Sequence, residues 1–572
     1  MFTREKLLRC EVFPAELPPC FSTSTLADCW EDAINAASAD KPYFSIPLKY
    51  SGYKSESARR KFAIPNPFHY CKAVDVIVKN EKEIAAILKK SSYSLTAPIE
   101  GKAKPHQAYA KKSGSIADTK AEIELQYQNN RYEIRLDISA FFDNIYTHSI
   151  PWAIHTIPVA KKKKQDKNLL GNQLDKRMQA MNYNQTNGIL VGNAVSRIIA
   201  EIILCTIDEA VKNEFPDIRC RRFVDDYYIY TKDSAQIQEI ISFIRTNLAQ
   251  YELCFNENKI QVNESPFLYG KPWVEQIKQY IHLQPDVFLS KMIMEYNTHK
   301  DIAIIKYGLK VISECRYAKE DWPAIQSRLI NLWVRFPSLA EYIRPILWYN
   351  KASIGKSILK NAIYSVIEES ILLNREQELI WAVWFAKVFE ISLRQDVICN
   401  VLKSKTDVAI IIMLDYVHTQ GLHESPAIKA SLSELYEELE REDTDAEEKT
   451  NQLMWTSRWL LVYEADRNGW LNVHGKTFDF AQKNAFFKKL MDKNVMFYNP
   501  NYQYEEPPKQ TRNYEYATRS EMYAALDELK KMIAKRIQQA GTDEPFEMTH
   551  EENQKFEKFM RAYEHEESVY VG

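Results

Sequence analysis

The chain has 572 residues, 45% of them hydrophobic and 27% charged, and its 75 Lys+Arg and 77 Asp+Glu leave a formal net charge of −2. These proportions exclude global disorder, and the length exceeds what one hydrophobic core serves, so two to four domains are expected. The near-zero charge excludes a generally basic nucleic-acid coat while leaving room for a local basic channel. No apolar run approaches the roughly eighteen residues of a membrane-spanning helix, and Met1 to Cys20 lacks a signal peptide's apolar stretch. A cytoplasmic protein with no membrane partner is therefore expected. Fourteen glycines are about a third of average usage, which favours long helices over tight turns. Nine cysteines stand singly with no Cys-x-x-Cys pair, so they read as reduced, buried thiols rather than a zinc site.

In chain order, the first half mixes strand and helix signals. Ala58-Arg59-Arg60-Lys61-Phe62 concentrates three cations ahead of Ala-Ile-Pro65-Asn66. Arg131 to Asp137 reads as a strand, with Phe141, Phe142 and Asp143 following. Lys161 to Lys164 is a basic run in an expected loop, either solvated or touching nucleic acid. Asn187-Gly188-Ile-Leu-Val-Gly192-Asn193 opens a helix over Val195 to Val211, where Ile198, Ile199, Ile202, Ile203 and Ile207 recur at spacings of three and four. Arg222 to Tyr230 reads as β-rich, Ala235 to Tyr251 as a helix after an Asp233-Ser234 cap, and Cys254 to Val262 as a further strand. Strands and helices that do not alternate strictly suggest an α+β layer.

Beyond about residue 275 strand signals become scarce. Gln377 to Arg394 and Thr406 to Gly421 carry apolar residues at helical spacing, and helices of this kind could stack as an irregular solenoid. Trp381 with Trp384, and Trp459 with Tyr463, share helix faces; they could stack bases, but core is the expected fate. Glu434 to Lys449 is acidic and reads as a solvated helix end, and Asn499 to Tyr516 as an extended connector.

Chemistry concentrates at Asp137 and at Phe223-Val-Asp225-Asp226. In each, carboxylates end or interrupt an apolar β run, where burial is costly without a cation. A strand–turn–strand hairpin bearing two aspartates, next to a strand bearing a third, makes a natural site for Mg²⁺, or Mn²⁺ in its place. Such ions can hold an attacking hydroxyl and a leaving pyrophosphate in line, which is nucleotidyl transfer. Gly192 permits close backbone approach at a helix N-terminus.

In order and spacing these pieces resemble reverse transcriptases over residues 40 to 272. The resemblance places Asp137, Asp225 and Asp226 as the catalytic, metal-binding triad. It implies that Leu253 to Lys259 is the motif whose lysine, Lys259, lies near the incoming triphosphate, and that Phe267 to Gly270 is the primer-grip turn. It places Arg59, Arg60 and Lys61 in the fingers motif that binds triphosphate, with Arg60 preferred. Gly188 to Ser196 fits the loop-and-helix motif. Phe142, five residues after Asp137, would collide with a ribose 2′-OH and so select deoxynucleotides; ordinary core packing is the alternative.

Tyr146 to Trp152, Gly188 to Arg197 and the Arg59-Arg60 pair look like the abortive-infection (Abi) reverse transcriptases of bacteria, the AbiK group especially. That resemblance implies an α+β fingers/palm core followed by an all-α HEAT-like repeat domain in place of a thumb. The expected domains are 1–130 (N-terminal region and fingers), 131–272 (palm) and 273–572 (helical repeats). It further implies phage defence, homo-oligomers, and dNTPs joined without a supplied template into single-stranded DNA that stays covalently attached to a protein hydroxyl. Departures from the wider family bear on this. Ile189-Leu-Val-Gly192 stands where templated enzymes have Leu-Pro-Gln-Gly, Arg197 where Pro is usual, and Phe223 where Tyr is usual. The lost Gln removes a polar group near the templating pair. No priming residue is assigned; Tyr43, Tyr50, Tyr53, Tyr570 and the serines and threonines all remain open. The competing readings are a conventional RNA-templated reverse transcriptase and a catalytically silent nucleic-acid-binding scaffold.

Overall fold

The structure is a computed structural model that describes residues 1–37, 43–55, 57–113, 116–281, 283–315, 321–444, 452–473, 475–502, 531 and 550. Two compact units emerge from its internal contacts: Met1–Gly270 with Ile363–Gln503, and a second described over Lys271–Ala362.

Among the described residues the first unit carries eight strands. They are β1 (Leu48–Ser55), β2 (Ala58–Ile64), β3 (Pro98–Ile99), β4 (Ala110–Lys111), β5 (Tyr132–Asp137), β6 (Arg219–Phe223), β7 (Asp226–Thr231) and β8 (Gln261–Glu264). β1 and β2 form an antiparallel hairpin, as do β3 and β4. The other four make one antiparallel sheet in the order β6-β7-β5-β8. Register pairs Ile134 with Ile229, Leu136 with Tyr227 and Arg222 with Tyr227, so these buried residues share one face. Opposite them, Tyr230 packs with Leu95 and Ile123 beneath the rings of Tyr127, Phe267 and Tyr269.

The Ala194–Glu214 helix lies along this core, and all five isoleucines of its predicted stripe are buried. The Asn193 side chain caps it, accepting from Ser196 N at 2.9 Å. The next helix runs Gln236–Gln250; Asp233 Oδ1 accepts from Ala235 N just ahead of it.

Arg222 to Tyr230 falls in two antiparallel strands joined by a Val224-Asp225 turn, a hairpin carrying both aspartates beside the strand that carries Asp137. Several expectations change. Cys254 to Val262 is interrupted by a 3-10 turn at Glu257–Lys259, because three consecutive polar residues offer no apolar alternation; Phe255 makes only an isolated bridge to Ile138, and the strand proper begins at Gln261. Lys161 and Lys162 are not in a loop but end the Ile157–Lys162 helix, where cations suit the C-terminal dipole. Cys254 is exposed, and Cys10 and Cys399 are half-buried, so three of the nine thiols are not core.

Helices dominate the rest of the described chain. In the first unit, Glu376–Val388, Asp407–Thr419 and Trp459–Asn468 pack in succession. Trp381, Trp384, Trp459 and Tyr463 are all buried there, as core rather than base-stacking surfaces. The acidic stretch begins as the end of the Pro426–Thr444 helix; its remainder, and the connector beyond residue 502, lie outside the described residues. In the second unit, Pro285–His299 packs on Ile302–Ser313, and Trp322–Arg335 on Ala340–Tyr349. Among the described residues no helix is long and apolar enough to cross a membrane.

Candidate active site

The site is built around the two-residue turn between β6 and β7. Val224 has φ 56°, a left-handed conformation that strains a β-branched side chain by on the order of 1–3 kcal/mol. Its backbone is pinned at both ends: Val224 N donates to Thr96 Oγ1 at 3.1 Å, and Val224 O accepts from Arg222 Nη1 at 2.7 Å. Arg222 is wholly buried and ion-paired to Asp208 at 2.8 Å and Glu201 at 3.0 Å, both on the Ala194–Glu214 helix. Tyr227 OH and Ser91 Oγ donate to Asp208, and Thr96 Oγ1 and Ser94 Oγ to Glu201. Burial lowers the affinity of Arg222 for its proton, but Asp208 and then Glu201 outweigh that and hold the guanidinium well above its usual range. A satisfied network of this kind is rigid, and it fixes where Asp225 and Asp226 emerge.

Asp137 ends β5 directly opposite Asp226 in the antiparallel register, and Asp225 occupies the turn beside it. All three line one cavity of about 790 Å³. Burial, then repulsion from Asp225 and Asp137, raises the Asp226 carboxyl to about 7. Burial also raises Asp225, with Asp137 adding to it and Lys259 and Arg60 opposing. Lys259 Nζ lies 3.0 Å from Asp137 Oδ1 and supplies the local counter-charge. Three desolvated, mutually repelling hard-oxygen donors fit a divalent cation such as Mg²⁺. Among the described residues, however, no three His, Cys, Asp or Glu side chains are already drawn together as a metal-holding group. Asp137, Asp225 and Asp226 are the residues that would hold the ion.

Across the cavity the β1–β2 hairpin presents its cations. Arg60 and Lys61 line it and have no ion-pair partner among the described residues. Arg59 also lines it, yet its guanidinium is paired at 2.6 Å to both oxygens of Glu378 on the Glu376–Val388 helix. Arg59 is thus committed to structure, while Arg60 and Lys61 are available to a phosphate. Phe142 lines the cavity from a short helical turn, Phe141–Asn144, rather than from the strand itself, and its carbonyl accepts from Ile189 N at 2.9 Å. Phe141 is core.

Gly192 lines the cavity with φ 109°, and a Cβ there would stand 2.7 Å from Pro14 Cγ. What approaches this glycine is the protein's own Pro14 ring. Glu11 O accepts from Ala194 N at 2.7 Å, and Arg197 pairs with Glu11 at 2.9 Å, so Arg197 makes an internal ion pair. Ala15 and Glu16 line the same cavity. Sequence reasoning missed these two, together with Lys49, Lys54 and Asp143. For Lys49 and Lys54 a signal was available, since both lie on the strand that pairs with Arg59 to Lys61. For Ala15 and Glu16 there was none.

A four-stranded antiparallel sheet with carboxylates at the ends of its two central strands, facing unpaired cations across a cavity, has the makings of a nucleotidyltransferase. Residues 69–278 match the family model described as "Reverse transcriptase (RNA-dependent DNA polymerase)". Over that stretch, 210 of its 572 residues, the chain carries a reverse-transcriptase domain. No curated protein matches the chain. Among solved structures, a C-terminally truncated apo telomerase from Candida tropicalis is 12% identical, over 43% of this chain and 56% of its own, at a TM-score of 0.28. Telomerase from Candida albicans with a TWJ fragment of telomeric RNA is 11% identical, over 60% and 66%, also at 0.28. Apo telomerase from Candida tropicalis is 12% identical, over 73% and 74%, at 0.30. The chain therefore spans 56% and 66% of the length of the first two.

Proposed function

We propose that this chain is a phage-defence DNA polymerase of the abortive-infection group of bacterial reverse transcriptases, AbiK-like. It joins dNTPs into single-stranded DNA largely without a template, starting from a hydroxyl of the protein, and works as a cytoplasmic homo-oligomer whose helical second half is a HEAT-like interaction domain. The observation that carries the polymerase part is the meeting of Asp137, Asp225 and Asp226 in one cavity with Arg60, Lys61 and Lys259.

Mg²⁺ or Mn²⁺, when bound, would neutralise charge and align the attacking and leaving oxygens. The chain's own residues do the rest. The three aspartates form the anionic floor. Arg60 and Lys61 clamp the triphosphate, and Lys259, paired with Asp137 in the structure, is a further cation for the phosphates. Phe142 stands against the sugar and disfavours a 2′-OH. Template independence is supported by Val191 in place of a glutamine and by Pro14 packed on Gly192, which fills the space beside that loop with the protein's own chain.

The test is incubation of purified protein with each labelled dNTP, Mg²⁺ and no nucleic acid, then denaturing electrophoresis before and after protease. Label that migrates with the polypeptide and is released by protease is the expected result. A conventional templated enzyme, the reading nearest the matched family's description, would incorporate label only after a primer–template is added, with product following its sequence. No incorporation under either condition would leave the scaffold.

A further inference from the structure

We propose that a second cavity, separate from the active site, is a binding groove for single-stranded nucleic acid, and that the growing DNA strand is its occupant. The strand's identity rests on the proposed polymerase activity; the groove's chemistry does not.

The cavity encloses about 910 Å³ beside the Ser149–His155, Ile157–Lys162 and Leu170–Met181 helices. Five cations line it: Lys161, Lys164, Lys167, Lys176 and Arg177. Against them stand two carboxylates, both engaged locally. Asp175 takes the His148 ring at 2.6 Å and Gln179 Nε2 at 2.5 Å, and Asp166 takes Asn168 N at 3.0 Å. None of the five cations has an ion-pair partner among the described residues. Arg177 is the telling one. Its Nε is buried without an acceptor, and burial pulls the guanidinium below its usual range. Asp75, the carboxylate that offsets this, is already paired with Arg4 and Lys79. A desolvated guanidinium in that state is stabilised by an incoming anion.

Aromatic rings interleave with the cations. Tyr43 is exposed with Lys176 Nζ 4.8 Å from its ring centre, and Lys161 Nζ is 6.0 Å from that of Trp152. Tyr146 packs edge-on against Trp152 at 5.8 Å. Phosphates on cations and bases on rings is how single strands are held without sequence reading; an acidic peptide would use the cations and leave the rings idle.

The groove also shares a wall with the active site. Gln179 lines it and Asn182, three residues on, lines the catalytic cavity. Tyr146 bridges to Asn187, which lines the catalytic cavity in turn.

The test uses full-length protein carrying Asp225→Ala and Asp226→Ala, which makes no DNA of its own, with EDTA and a fluorescent oligothymidylate, followed by anisotropy across a salt series. Lys161→Gln, Lys164→Gln and Lys167→Gln together should weaken binding at least about tenfold. They should also flatten the slope of log Kd against log salt by about 2, from about 0.7 per lost phosphate contact. Trp152→Ala should weaken oligothymidylate about tenfold and leave inorganic polyphosphate unaffected, since stacked bases lose affinity with their ring and bare phosphates do not. Equal affinity and slope in the lysine variant would overturn the groove. So would polyglutamate binding as tightly as oligothymidylate and ignoring Trp152→Ala. Should the triple variant melt early, Lys164→Glu alone, at an exposed position, must still weaken binding. Because the readout is equilibrium binding by an inactive protein, failure here and failure to polymerise are separate results.

Discussion

Asp137, Asp225 and Asp226 occupy positions that a sheet built only for stability would give to neutral side chains. The half-buried Asp226 carboxyl is raised to about 7 by burial and by its two acidic neighbours. A carboxyl with a folded value above its unfolded one stabilises the fold most at low pH, and that contribution is lost as pH rises through the folded value. Without divalent ions, the melting temperature should therefore fall between about pH 4 and pH 7, and added Mg²⁺ should restore it. Asp225→Asn with Asp226→Asn should flatten that fall, melt no lower than wild type at pH 8, and reduce dNTP incorporation by at least about a thousandfold. A double variant that melts much earlier would mean the carboxylates hold the fold rather than the reaction. Phe142→Ala should raise ribonucleotide incorporation about tenfold or more in competition with deoxynucleotides; an unchanged preference would return Phe142 to ordinary core. The aspartates were legible because each ends or interrupts an apolar run. The strain at Val224 was not, because Val-Asp carries no turn signature and the φ of 56° is imposed by Arg222 and Thr96.

The β1–β2 hairpin is governed at the level of the element. The start of the Glu376–Val388 helix grips it through three consecutive side chains. Glu376 accepts from Ser51 N at 2.5 Å, Gln377 from Tyr53 N at 2.9 Å, and Glu378 takes Arg59 bidentately. Gly52 makes this possible: a Cβ there would sit 2.3 Å from the Phe62 ring and 2.8 Å from Gln377 Oε1. A hairpin held this way keeps Arg60 and Lys61 over the cavity, so under the proposed function less ordering is needed when a nucleotide binds. Replacing Glu376, Gln377 and Glu378 by Ala should speed amide exchange at Ser51 and Tyr53 about ten- to a hundredfold. It should also raise KM for dNTPs more than it lowers kcat. Exchange and KM that both stay at wild-type values would show that the helix does not hold the hairpin. Sequence reading found the three cations of this hairpin and preferred Arg60, but it could not set Arg59 apart from Lys61, because what commits Arg59 lies more than three hundred residues away. Local patterning exposes the strand and the helix separately; their pairing is a tertiary fact with no signature in either.

Across the whole molecule the same lesson applies to the stretch around Pro14, which composition marks as nothing more than an irregular start. It is tied to the site from several directions. Glu11 O holds Ala194 N, the Glu11 carboxylate holds Arg197 and Ala108 N, Pro14 packs on Gly192, and Glu16 O accepts from Trp381 Nε1 at 2.9 Å. The loop before the long helix was legible as a glycine-bearing turn, and its glycine does serve a close approach, but to a proline ring of the same chain. If that ring keeps a templating base from settling beside Gly192, shrinking it should let one in. Pro14→Gly with Ala15→Gly should leave untemplated incorporation within about twofold and, when a primer–template is supplied, increase the share of product that copies it, read by sequencing. Gly192→Ala should do the reverse of opening: the new methyl meets Pro14, and φ 109° suits no side chain, so this variant should melt lower and incorporate little with or without template. Product that ignores the template equally in wild type and in Pro14→Gly with Ala15→Gly would place the cause of the proposed template independence elsewhere, with Val191 the next residue to replace, by glutamine.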